Sequence, residues 1–79
     1  MIGAYCRKFR MNNNLTLLEV INLTDSKDLK VGTLSSFEMG NSSNIKHLET
    51  YIKLSNKLHQ QYLFMNNLTL EVLEHGKGK

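Results

Sequence analysis

The 79-residue chain has no proline, a single cysteine and no long apolar run. One cysteine, Cys6, cannot form an intrachain disulfide, and its apolar period with Ile2 and Phe9 indicates a reduced, buried thiol. No segment approaches the roughly 18 apolar residues that a membrane-spanning helix requires, and the first ten residues lack the apolar stretch of a secretory signal. We therefore expect a cytoplasmic protein with no membrane partner, and the absence of proline fits short helices joined by polar turns.

Residues with catalytic or metal-binding chemistry are scattered along the chain. His47, His59 and His75 are far apart, and no pair of His, Cys or carboxylate has the short spacing of a zinc site. There is no nucleotide-binding loop, nucleophile elbow or glycine-rich fingerprint. A hidden active site built from distant Ser, His and Asp stays open, but a core this small leaves little room for a pocket. We expect no enzyme, no metal and no cofactor.

Composition indicates one small folded domain. Apolar residues make up 41% of the chain and charged residues 22%, which argues against wholesale disorder. The net charge of +3 and the isoelectric point near 9.2 are compatible with nucleic-acid binding but too mild to argue for it alone.

The first half of the chain has clear signals for helix starts and stops. Apolar residues at a spacing of three to four predict a helix over residues 2–11. Asn14 can adopt the left-handed conformation that ends it. Thr16 and Glu19 form a capping box, which opens a second helix at Leu17–Leu23.

A wide polar turn within residues 24–32 follows, ends near Leu29 or Lys30, and leads into a short third helix. Val31, Leu34 and Phe37 fall on one helical face, and Gly40 supplies a C-terminal stop. This helix has about two turns.

The second half has weaker boundaries. A helical period runs from Ile45 to Leu58 and continues toward Met65. Residues 68–74 alternate like a strand, yet they also fit a short helix capped by Thr69, which we expect here. The end of the chain, GKGK, has no apolar content and should fray.

The segment TLSSFEMG, residues 33–40, resembles the recognition helix of the lambda-repressor/Cro-like (XRE) family of helix-turn-helix proteins. Leu15-Thr16 resembles the start of that family's second helix, and HLETYIKL, residues 47–54, resembles its fourth; the likeness spans residues 2–58. The resemblance implies an all-α, five-helix lambda-repressor-like fold, with the helix-turn-helix DNA-binding domain over residues 1–65. Residues 66–79 would then be a short helix or dimerisation segment with a frayed tail.

The family match also implies a scaffold for the third helix. Arg10 and Glu38 match positions that often form an ion pair between the first and third helices, with the guanidinium holding the carboxylate bidentately. Two separately solvated charges are the alternative. Leu34 and Phe37 would fix the third helix to the core through their buried area. The expected core is Ile2, Cys6, Phe9, Leu15, Val20, Leu34, Phe37, Leu48, Ile52 and Leu58.

The resemblance implies that the chain is a sequence-specific transcription regulator of the kind found in phages or mobile elements, which binds double-stranded DNA and has no effector domain. A recognition helix places the residues near its N-terminus against base edges in the major groove. Backbone amides at the start of the second helix would add a phosphate contact, as would the loop after Gly40. The expected DNA-contacting residues are Thr16, Leu17, Lys30, Val31, Gly32, Thr33, Ser36, Asn41, Ser42 and Ser43.

Departures from the family pattern favour an alternative. The turn before the third helix is about four residues longer than the family's, Leu17 replaces a residue that commonly contacts phosphate, and the third helix has no Gln, Asn or Arg for base recognition. In this alternative, the helix-turn-helix scaffold binds another protein, as an antirepressor or antitoxin does. Its prediction is a chain with no DNA affinity.

We also expect a homodimer on DNA, because two recognition helices about 34–36 Å apart read one face of the duplex. The C-terminal segment is more apolar than a short tail requires, although intramolecular packing explains this equally well. The residues expected at the contact are Tyr62, Leu63, Phe64, Leu68, Leu70 and Val72.

Overall fold

The computed structural model describes residues 2–42 and 44–77, with side chains to residue 74. This part of the chain contains helices and no strand, which confirms the all-α prediction. It has a Cα radius of gyration of 12.0 Å. The helices are α1 (Ile2–Asn12), α2 (Leu17–Leu23), α3 (Val31–Glu38), α4 (Ile45–Lys57) and α5 (Gln61–Lys77).

The ends of the first three helices follow the local signals in the sequence. Asn14 has a φ of 57°, so it stops α1 in the left-handed conformation as predicted. The capping box is present: the Glu19 amide donates to the Thr16 side chain, and the Thr16 amide donates to the Glu19 carboxylate. Gly40, with a φ of 85°, follows the end of α3.

The boundary between α4 and α5 differs from the prediction. The helical period does not continue to Met65, because His59 adopts a left-handed conformation with a φ of 58°. The Gln60 amide closes the turn by donating to the Ser55 carbonyl at 2.7 Å. α5 therefore begins at Gln61, and Thr69 lies inside it rather than capping a separate short helix.

The core is formed by apolar side chains from all five helices. Ile2 does not belong to it, since it is 37% exposed at the start of α1. Five other predicted core residues are half-buried and pack around the centre: Phe9, Leu15, Leu48, Ile52 and Leu58. The buried apolar residues are Cys6, Val20, Ile21, Leu34, Phe37, Tyr51, Leu54, Phe64 and Leu68.

α1 packs on α3, α4 and α5, whereas α2 packs on α3 and α4. α3 packs on α1 and α2, whereas α5 packs on α1 and α4. The α5 contact is aromatic: the Phe64 ring lies 4.7 Å from that of Phe9 and 5.2 Å from that of Tyr5, between centroids. No helix in the described part of the chain is long and apolar enough to cross a lipid bilayer.

Candidate nucleic-acid interface

α3 has one face fixed in the core. Leu34 and Phe37 are buried, and the Phe37 ring stacks against that of Tyr51 with 6.1 Å between centroids. Glu38, on the same face, is 4% exposed. A helix of two turns has little stability of its own, so this buried face holds α3 in place.

A buried polar network fixes the C-terminal end of α3. Arg10 Nε donates to Glu38 Oε2 at 2.8 Å, and Arg10 Nη2 donates to Glu38 Oε1 at 2.9 Å, so the predicted bidentate pair is confirmed. Tyr51 donates its hydroxyl hydrogen to the same carboxylate. The remaining end of the guanidinium donates to the Leu15 carbonyl at 2.8 Å. One arginine thus ties α1 both to α3 and to the residue before the α2 cap.

The pKa is raised in two groups of this network, Arg10 and Tyr51. The hydrogen bond to Glu38 raises the pKa of Arg10. Burial, followed by the hydrogen bond to Glu38, raises the pKa of the Tyr51 phenol. Arg10 and Tyr51 therefore keep their protons and act as permanent donors to the Glu38 carboxylate.

Gly3 allows α1 and α3 to approach closely. A Cβ atom at this position would lie 2.1 Å from the Phe37 carbonyl oxygen, well inside van der Waals contact. α3 is thus held by a backbone contact at Gly3 and by the Arg10–Glu38 pair. Its outward face has a defined orientation as a result.

The outward face of α3 presents small and polar residues. Lys30, Val31, Gly32 and Thr33 are exposed, as predicted for base-contacting positions, and Ser36 is half-buried. The hydroxyls of Thr33 and Ser36 have no hydrogen-bond partner among the described residues. These hydroxyls are available to a ligand.

The loop between α3 and α4 continues this surface. Asn41 is exposed and Ser42 half-buried, while Ser43 lies outside the described residues. The Asn44 side chain caps α4 by accepting from the Lys46 amide at 2.9 Å. Lys46 is exposed and was not among the predicted DNA-contacting residues, although a lysine in the first turn after an asparagine cap was a usable signal.

The start of α2 is less suited to phosphate than expected. The Thr16 amide is already used by the Glu19 carboxylate at 2.9 Å, so an anion here would meet a negative charge. Leu17 is half-buried and packs against the core. The Leu17 side chain therefore has a structural role in packing.

Charge is unevenly distributed around α3. Residues 29–48 contain one acidic residue, Glu38, and it is buried against Arg10. The lysines of this range, Lys30 and Lys46, are exposed. The turn between α2 and α3 differs, because an open groove there combines three lysines with three carboxylates. Its charged residues are Asp25, Lys27, Asp28, Lys46, Glu49 and Lys53.

The described residues contain no metal-binding cluster, and the one cysteine thiol is buried. No group of three His, Cys, Asp or Glu side chains within them is placed to hold a metal ion. Cys6 is fully buried, and burial raises the pKa of its thiol to about 12. A thiol in this state is a poor nucleophile at neutral pH.

Comparison with known proteins adds no assignment: no family model, no curated protein and no solved structure matches this chain.

Proposed function

We propose that the chain is a helix-turn-helix protein of the lambda-repressor/Cro-like type that binds double-stranded DNA. It would act as a cytoplasmic, homodimeric transcription regulator of a phage or mobile element by occupying its operator, without catalysing a reaction. The observation that carries this proposal is the outward face of α3. That face combines unpartnered hydroxyls and small residues with the exposed Lys30, and it carries no carboxylate of its own, on a helix fixed from behind.

In this proposal α3 enters the major groove with its N-terminal end foremost. Thr33 and Ser36 donate to or accept from base edges, and the Val31 methyl groups contact the methyl group of a thymine. Gly32 lacks a side chain, so the backbone can approach a base pair closely. Recognition by hydroxyls and methyl groups, without Arg, Asn or Gln, gives modest discrimination per base pair.

Phosphate contacts come from the two ends of this surface. Lys30 lies at the cap of α3, and Lys46 lies in the first turn of α4, beyond the loop that contains Asn41 and Ser42. The carboxylates of Asp25 and Asp28 disfavour a phosphate beside the preceding turn. Lys46 also lines the groove beside that turn, with Asp25, Asp28 and Glu49, so a phosphate bound by Lys46 approaches it from the loop after Gly40.

Binding to random duplex DNA at several salt concentrations tests the proposal, followed by selection of sites from a random pool. We expect affinity that falls with salt and an enriched motif. Thr33→Ala and Ser36→Ala should change the motif, whereas Lys30→Ala and Lys46→Ala should weaken binding to all duplexes and reduce the salt slope by about one each.

Lys8→Ala is the matched control for the lysine variants. Lys8 lies on α1 beside the groove toward α5, so its loss changes the net charge equally but leaves the α3 surface intact. Lys8→Ala should keep the selected motif and the salt slope. No enriched motif, together with a dissociation constant weaker than about 1 mM at low salt, would refute DNA binding.

One observation favours the alternative, a protein-binding module of the antirepressor or antitoxin type. Met39 and Ile45, which flank the loop after α3, are 69% and 63% exposed, and Val31 is 41% exposed. These residues form apolar surface beside the same helix, as a protein partner requires. Met39→Ala separates the two functions: it should leave DNA binding unchanged and weaken a protein complex.

A further inference from the structure

The turn between α2 and α3 is an ordered part of the fold. The Thr24 hydroxyl donates to the Val20 carbonyl at 2.8 Å, and the Ser26 amide donates to the Ile21 carbonyl at 3.0 Å. Leu29 packs against the core, and its amide donates to the Ser26 carbonyl at 3.0 Å. The charged side chains of residues 25–30 are therefore carried on a backbone that hydrogen bonds and packing hold in place.

Asp25 and Asp28 carry exposed charges that the turn does not need for its structure. Asp25 has a φ of 52°, a conformation that asparagine adopts at least as readily. Its ion pair with Lys27, at 3.8 Å, joins side chains that are 81% and 87% exposed, so it contributes little to stability. Asp28 makes no hydrogen bond or ion pair with another described residue. Neither charge is therefore used by the fold.

Exposed lysines surround these two carboxylates. Three of the lysines line the groove between the turn and α4 together with three carboxylates, so the groove is neutral. Two more continue the surface, one at the cap of α3 and one on the same face of α4. The five are Lys27, Lys30, Lys46, Lys53 and Lys57. Asparagine in place of both aspartates would leave the groove with a net charge of +2.

A surface with five lysines and no opposing charge would bind duplex DNA of any sequence. Lysines that neutralise phosphates supply nearly all of the non-specific affinity of a DNA-binding protein, and this contribution does not depend on the bases. At physiological ionic strength an exposed charge acts over about 8 Å. Asp28 lies two residues before Lys30, a span of at most about 7 Å, so its charge reaches a phosphate near the start of α3.

We infer that Asp25 and Asp28 are specificity-determining residues, whose charges keep the lysines around the α2–α3 turn from holding duplex DNA of arbitrary sequence. Contact is then left to the outward face of α3 and the loop after Gly40. Specificity is a difference of affinities, and a repulsive element that weakens the wrong complex raises it as a contact in the right complex does. Such an element suits an α3 without Arg, Asn or Gln, whose direct discrimination between base pairs is modest.

This inference rests on the proposed function, and its test compares random duplex with the selected motif. Fluorescence anisotropy of labelled duplex, from about 50 to about 300 mM salt, gives the affinities of the full chain, Asp25→Asn, Asp28→Asn and the double variant. Each single variant should bind random duplex about threefold more tightly and the double variant about tenfold, with a steeper salt dependence, because more phosphates are neutralised. Affinity for the motif should rise less, since α3 in the major groove fixes which lysines reach a phosphate.

Glu74→Gln is the matched control, because it changes the net charge by the same amount as each single variant. Glu74 is exposed on α5 and lines the separate groove between α1 and α5. Asp28→Glu is the second control, because it keeps the charge of the turn. Neither should change the affinity for random duplex by more than about 1.5-fold. Circular dichroism should show equal helix content in all variants.

Three results would overturn the inference. They are a double variant that binds random duplex no more tightly than the unaltered protein, an equal gain from Glu74→Gln, and an equal rise in affinity for motif and random duplex. Absence of any enriched motif refutes the proposed function instead. The gain on random duplex is read without a motif, so the two failures are distinguishable.

Discussion

α3 and α5 both pack on α1, but they are held by different kinds of interaction. α3 is held by directional contacts: a bidentate ion pair, the Tyr51 hydroxyl and a close backbone approach at Gly3. α5 is held mainly by aromatic packing around Phe64, with one hydrogen bond from the Tyr5 hydroxyl to the Phe64 carbonyl at 2.7 Å. Directional contacts fix an orientation more tightly than apolar packing does.

The outward faces of α3 and α5 also differ, and the difference matches how each helix is held. The polar face of α3 suits a rigid, hydrogen-bonding ligand such as a duplex, for which a small rotation misplaces every donor. The apolar face of α5 suits packing against another helix, where small adjustments are tolerated. DNA binding by α3 and the expected dimer contact on α5 agree with how each helix is supported.

The largest expected effect is loss of either anchor in the core. Phe37→Ala under α3 and Phe64→Ala under α5 should each lower the free energy of unfolding by about 3–5 kcal/mol, because both rings are buried and leave a cavity. Urea denaturation measures this. The neighbouring exposed residues provide controls: Met39→Ala and Leu63→Ala should each change stability by less than about 0.5 kcal/mol. An unchanged melting temperature for Phe37→Ala would contradict its burial.

The next effect tests the directional support of α3. Arg10→Ala or Glu38→Ala should each cost about 3 kcal/mol, because the remaining charge is buried without its partner. A double-mutant cycle should give a coupling of about 1–3 kcal/mol. The exposed pair Lys27–Asp25, 3.8 Å apart, is the matched control and should couple by less than about 1 kcal/mol. Equal coupling in the two pairs would remove the distinction drawn between α3 and α5.

Replacing two glycines should change stability with opposite signs: Gly3 lies at the contact between α1 and α3, and Gly32 lies on the outward face of α3. Gly3→Ala should destabilise by about 1–3 kcal/mol, because its Cβ meets the Phe37 carbonyl and α1 must move from α3. Gly32→Ala meets nothing within 4 Å and should stabilise α3 by about 0.5–1 kcal/mol. Thermal unfolding of both variants checks the signs, and stabilisation by Gly3→Ala would show that the close approach is absent.

The sequence predicts α1 to α3 well because their ends are set by local chemistry. Asn14 supplies a left-handed stop, and Thr16 with Glu19 supplies a cap within four residues of chain. The α4–α5 boundary has a weaker signal, because no glycine, asparagine or capping box stands at the stop and its left-handed residue is His59. That boundary depends on burying Phe64 against Tyr5, which lies 59 residues earlier in the chain.

The candidate interface is predictable to a similar degree. Exposure of Lys30 to Thr33 follows from the helical period, which assigns Leu34 and Phe37 to the opposite face. The third member of the Arg10–Glu38 network, Tyr51, depends on how α4 crosses α3. A helical period gives the face of a residue but not the neighbour that it meets.

A pH effect similar in size to those of the glycine replacements concerns the buried Cys6 thiol. Burial raises its pKa from 9.0 to about 12, so the folded protein favours the protonated thiol. The associated stability is complete below the unfolded pKa and is lost as pH rises through the folded one. From about pH 8 to about pH 10 the thiol should lower the free energy of unfolding by about 1.4 kcal/mol.

Cys6→Ala isolates this effect from that of Tyr51, whose raised pKa acts in the same direction. The variant is less stable at every pH because it leaves a cavity. Its urea midpoint should nevertheless fall less between about pH 8 and about pH 10 than that of the unaltered protein. Parallel curves for the two proteins would mean that Cys6 ionises as freely in the folded state as in the unfolded one, and that α1 does not bury it.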